Sequence, residues 1–234
     1  MEQTVSRRIT MAGSVQARRI RHADGGPTGT LLAGPWPILP AESMQLPWRA
    51  RLRTAWKELA LRARLVRLSF WRGLHGTGVF GVSRLHATVL RADGRVEPLG
   101  LISTKLITDA GVAFLVDDWD NNAQDLTTMN FHGCGTGVAA ESATDTALGT
   151  ESTTALNPDN TRATGTRSQP AANQYRTVGT LSFDATAAVT EHGVLSQSAT
   201  GGGTLWDRSV FTAINVVSGD SIQFTYTCTV SAGG

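Results

Sequence analysis

The chain has 234 residues, 41% of them hydrophobic and 17% charged, with two cysteines and a formal net charge of +2. Such a length holds one large domain or two small ones, and two cysteines are too few for a disulfide framework or a zinc site. No apolar run reaches the roughly 18 residues of a transmembrane helix and no apolar stretch follows the first arginines, so an intracellular or virion product is expected rather than a secreted one.

The small net charge hides a split. Residues 1–100 carry 16 Lys+Arg against 6 Asp+Glu, a net +10, and residues 101–234 carry 5 against 13, a net −8. A division of this kind suggests two parts with different partners, or one part that docks on the other.

Residues 1–47 read as an extended arm. Arg7, Arg8, Arg18, Arg19 and Arg21 are scattered among small polar residues, and Pro27, Pro35, Pro37 and Pro40 follow around Trp36. Proline fixes φ and removes a backbone donor, which suits an arm lying on another subunit. Residues 48–73 read as a basic amphipathic helix. Leu52, Trp56, Leu59, Ala63, Val66 and Phe70 recur at steps of three and four and form one apolar stripe, with Arg49, Arg53, Lys57, Arg62, Arg64 and Arg67 over the remainder. The plainest expectation packs this helix on its own domain. An acidic protein face is the next candidate, ahead of nucleic acid or a membrane surface.

Beyond Gly81 the period changes to two. Leu85, Ala87 and Val89 alternate with polar neighbours, and Ala92-Asp93-Gly94 supplies a hairpin turn. Residues 104–121 are ambiguous, since Ile107, Val112, Leu115 and Trp119 fit a short helix capped by Thr108 or Asp109. From Met129 onward short strands alternate with turns. The last is the clearest, with Ile222, Phe224, Tyr226, Cys228 and Val230 facing one way and Gln223, Thr225, Thr227 and Thr229 the other. The expected fold is mainly β: a β-sandwich or jelly-roll-like domain over residues 80–234, with the arm and one basic helix ahead of it.

Three stretches raise the question of catalysis. Glu191-His192 and Asp207-Arg208 are adjacent pairs on predicted strands, where neighbours point to opposite faces and cannot cooperate directly. Pairing of Glu191 with Arg208 across strands is expected instead, as an ion pair that fixes register. HGCGTG, from His132 to Gly137, lacks the Lys-Ser/Thr ending of a phosphate loop and reads as a tight turn, and no third group orients Cys134 as a nucleophile beside His132. The acidic run Asp117–Asp125 lacks the glycine and glutamate of a calcium loop and reads as a capped helix end or an acidic surface. No catalytic residue, metal or cofactor is therefore expected.

The segments GLISTKLITDAGVAFLVDDW, MNFHGCGTG, TDTALGTE, NPDNTRATGT, YRTVGTLSFDATAAVTEHGVLSQ, GGGTLWDRSVF and INVVSGDSIQFTYT occur in this order. Together they resemble a family of tailed-bacteriophage virion proteins encoded near capsid genes, some of them like head decoration (cement) proteins. The resemblance covers roughly residues 80–234. It implies a non-enzymatic protein of the capsid exterior, assembled in the host cytoplasm, that binds the major capsid protein and copies of itself, such proteins often being homotrimers. A neck, tail or fibre-base adaptor is the alternative within the same virion. A carbohydrate-directed module is disfavoured by the 6% aromatic content, and nucleic acid or membrane binding ranks below these. Trp36, Trp48, Arg49, Arg53, Trp56, Lys57 and Arg64 are the candidate contacts to the capsid or another partner, since aromatic and arginine side chains anchor interfaces.

Overall fold

The computed structural model describes residues 46–75, 79–104, 107–121 and 124–232, with the side chains of 64–75, 79–80, 121 and 231–232 outside the description. The predicted arm, including Trp36, lies outside the described residues apart from residues 46 and 47.

The described chain is mainly β. After helix α1 (Trp48–His75), strands β1 (Val79–Leu90) and β2 (Val96–Ser103) form a hairpin, followed by helix α2 (Asp109–Asn121) and a 3₁₀ turn at Leu126–Thr128. Seven more strands follow: β3 (Phe131–Gly135), β4 (Ala163–Thr164), β5 (Thr166–Ser168), β6 (Gln174–Ser182), β7 (Ala187–Leu195), β8 (Leu205–Val216) and β9 (Ser221–Ala232). They make two antiparallel sheets, a five-stranded one in the order β2-β1-β9-β6-β5 and a four-stranded one in the order β4-β3-β7-β8. The ambiguous segment is thus a helix. Its cap is Thr108, whose Oγ1 accepts the Gly111 N–H at 3.0 Å.

Both sheets feed one apolar core. Leu85, Ala87, Val89, Ile222, Phe224 and Tyr226 come from the five-stranded sheet, and Cys134, Val189, Val194, Trp206, Ile214 and Val216 from the other. Period-two alternation explains this, because each strand sends every second side chain to the same face. Val230 departs from the expected pattern: it is exposed, near the end of β9.

Helix α1 corrects the sequence expectation. Its buried residues are Ala50, Thr54, Glu58 and Leu61, whereas Leu52, Trp56 and Leu59 of the apolar stripe are exposed. The docked side is the small and polar one because the helix approaches β2 closely at Gly100. There the φ is +71°, the Leu101 N–H donates to Thr54 Oγ1 at 3.1 Å, and an added Cβ would lie 2.6 Å from that oxygen. The Arg84 Nε–Glu58 Oε1 ion pair at 2.8 Å holds the next turn to β1.

Candidate functional site

Glu191 organises the outer face of the four-stranded sheet. In the β7–β8 register it pairs with Val210 while Gly193 pairs with Arg208, so Glu191 and Arg208 are diagonal neighbours on one face. The fully buried carboxylate accepts the Gly137 and Thr150 N–H groups on Oε1 at 3.0 and 2.7 Å. On Oε2 it accepts the Gly149 N–H and Arg208 Nε, both at 2.9 Å. Four hydrogen-bond donors, with the Arg208 Nη2 also 2.8 Å from Oε2, engage both oxygens of the carboxylate. Burial pushes the Glu191 carboxyl up, but the Thr150 and Gly149 N–H groups and the Arg208 guanidinium outweigh it and hold the pKa below the ordinary value. Arg208 also reaches Asp145 at 2.9 Å.

These bonds pin the loop of residues 136–162 across the sheet, and the HGCGTG run makes room for it. A Cβ at Gly135 would strike the Thr150 carbonyl oxygen and come within 2.6 Å of Glu191 Oε1, and a Cβ at Gly137 would strike the same carboxylate. The glycine-rich run does cradle an anion, but the anion is the protein's own Glu191. A second buried guanidinium finishes the loop. Arg162 pairs with both oxygens of Glu151 at 2.6 and 2.9 Å and donates to the Gln197 and Gly202 carbonyls at 3.0 and 2.8 Å, tying the loop to the β7–β8 connection.

The opposite face of β7 carries His192 into the core. His132 Nδ1 and His192 Nε2 lie 2.9 Å apart, and His132 Nε2 lies 3.1 Å from Thr177 Oγ1. Both rings are fully buried. Burial lowers the His132 pKa to about 3, and burial with the neighbouring His132 lowers His192 well below its ordinary value. Both are therefore neutral at pH 7. His192 Nδ1 has no hydrogen-bond partner among the described residues. We assign the His192 Nε2–H as donor to His132 and the His132 Nε2–H as donor to Thr177, because the reverse order would bury an unpaired N–H. Burial also pushes the Cys134 thiol up to about 12, so it is protonated and a poor nucleophile at neutral pH. Asp207, also buried, accepts from Ser83 Oγ at 2.7 Å and Ser209 Oγ at 3.2 Å, joining the two sheets.

The acidic run divides between a cap and a surface. Asp125 caps the 3₁₀ turn, accepting the Thr127 N–H at 2.8 Å, while Asp117 and Asp120 are exposed on α2. Among the described residues no group of three or more His, Cys, Asp or Glu is placed to hold a metal ion.

No family model, no curated protein and no solved structure matches this chain.

The candidate contact residues on α1 are placed as one surface. Trp48 and Trp56 are 65% and 69% exposed, Arg49 and Arg53 are exposed beside them, and the Arg49 guanidinium lies 5.2 Å from the Trp48 ring centre. Lys57 is half-buried and lines, with Arg53, Arg91, Glu97 and Phe211, a groove of about 270 Å³ between α1 and the sheets. The side chain of Arg64 and all of Trp36 lie outside the described residues. Among the described residues no helix is long and apolar enough to cross a membrane. The residues that sequence reasoning did not single out are Asp145, Glu151 and Arg162. Their partners sit up to 63 positions away, where no local pattern marks them.

Proposed function

We propose that the protein is a non-enzymatic structural protein of a phage virion, a capsid decoration (cement) protein that binds the major capsid protein from outside. On this reading the two sheets form a β-sandwich of jelly-roll kind, and the Pro-rich arm with Trp36 is the element that follows a capsid groove. The observation that carries the proposal is the exposed stripe of α1. Tryptophans presented to solvent between arginines, on a helix whose other side is anchored to the sheet, make a docking surface. The saturation of Glu191 supports the same reading, since its carboxylate is spent on holding a loop. Repeated identical contacts over one lattice then give avidity without strong single contacts.

Quantitative mass spectrometry of purified virions tests the proposal. The expected result is a copy number in fixed, high proportion to the major capsid protein, with the protein open to protease on intact particles. A few copies per particle would move it to the neck, tail or fibre base. Absence from the particle would overturn both readings.

A further inference from the structure

Two helices present exposed apolar stripes of opposite electrostatic character. On α1 the stripe is Trp48, Leu52, Trp56 and Leu59, at helical steps of four, four and three, and Arg49 and Arg53 run along its side. On α2 it is Val112, Val116 and Trp119, at steps of four and three, and Asp117 and Asp120 run along its side. Trp119 is 74% exposed. Neither stripe is covered by the described residues of one copy. At 1.5 Å per residue the α2 stripe is about 10 Å long and the α1 stripe about 17 Å, so the shorter fits within the longer.

We propose that α1 of one copy docks on α2 of a second copy, apolar stripe on apolar stripe, with the arginines of one beside the aspartates of the other. One contact then covers both exposed surfaces and accounts for a chain whose first 100 residues are net +10 and whose remainder is net −8. Charge decides the pairing. Two α1 helices face to face would set Arg49 and Arg53 against the same residues, and two α2 helices would oppose aspartates, so like meets like in both arrangements. An α1–α2 contact joins different patches, so it propagates from copy to copy, or closes as a ring or a two-fold pair that makes the contact twice. The contact takes up the same α1 stripe that the capsid reading uses, so in any one copy either α2 of a neighbour or the capsid protein occupies it, and the pairing of free copies is tested without capsid.

The test uses the full purified chain and two charge-reversed variants, Arg49→Glu/Arg53→Glu and Asp117→Arg/Asp120→Arg. All four positions are exposed, and circular dichroism checks that each variant is folded. Sedimentation velocity at low salt should show concentration-dependent association of the parent chain that weakens as salt is added. Each variant alone should associate at least tenfold more weakly, because the reversed charges beside one stripe now match in sign those beside the other. An equimolar mixture should recover association with one-to-one stoichiometry, since each variant supplies what the other lacks. Trp119→Ala should weaken the parent association as Trp56→Ala does. A parent chain that stays monomeric at all concentrations would overturn the proposal. So would an aspartate variant that self-associates like the parent, which would mean α1 pairs with something other than α2, or a mixture that stays monomeric.

Discussion

Arg208 meets Glu191 diagonally across β7 and β8, Nε to Oε2 at 2.9 Å, with both side chains buried. The pair joins strands 17 positions apart and also carries the loop of residues 136–162, through Gly137, Gly149 and Thr150. Removing Arg208 leaves a buried carboxylate without its cation, and removing the carboxylate strands three N–H groups and leaves Arg208 with Asp145 alone. Glu191→Ala should cost about 3–5 kcal/mol and Arg208→Ala a comparable amount. A double-mutant cycle by urea denaturation should give coupling of more than about 1 kcal/mol. Additive losses would mean that the two residues act separately.

The buried histidine pair predicts a pH dependence. The folded His132 pKa is about 3 against an ordinary 6.5, and His192 is also far below its ordinary value. Between those limits the unfolded chain binds protons that the folded chain excludes, so stability is full above about pH 6.5 and falls as pH drops toward 3. The slope approaches about 1.4 kcal/mol per pH unit for each histidine. Urea midpoints between pH 8 and 4.5 should show this loss. The double variant His132→Leu/His192→Leu should flatten the profile in that range.

Helix α1 predicts opposite outcomes on its two sides. Leu61→Ala, on the docked side, should lower stability by about 2–4 kcal/mol. Trp56→Ala, on the exposed side, should change it by no more than about 0.5 kcal/mol, although the residue lost is larger. Thermal unfolding of dilute protein separates the two. Equal losses would mean that both sides are packed.

Gly100→Ala should destabilise more than a surface glycine does. The left-handed φ of +71° and the Thr54 Oγ1 atom 2.6 Å from the new methyl act together. Gly94, with a φ of +84° but nothing within 4 Å, is the control for the conformational part alone. A loss of about 1 kcal/mol at Gly94 and of 2 or more at Gly100 would measure the close approach of α1.

Period-two alternation made β1 and β9 readable, and the run of steps of three and four made α1 readable, because both patterns record local geometry. The side on which α1 docks was not readable in that way. Its contact face is Ala50, Thr54, Glu58 and Leu61, small or polar residues chosen by the approach to Gly100, and large apolar residues on the other side draw the eye. Glu191 with Arg208 followed from strand alternation and opposite charge. Gly137, Gly149 and Thr150 did not follow, because they contribute backbone N–H groups, which carry no residue-type signature. HGCGTG reads as a tight turn, but His132–Gly135 lie on strand β3, and the glycines of the run make room for a side chain more than 50 positions later that the run itself does not name.

The clamp also sets an order of events during synthesis. The loop of residues 136–162 leaves the ribosome before Glu191 and Arg208, the pair that clamps it. The loop must therefore wait, tied only by backbone bonds such as those to Asp109 and Cys134, while β7 and β8 are made and paired, and a chain stalled before Arg208 would carry it unclamped among proteases and neighbouring nascent chains.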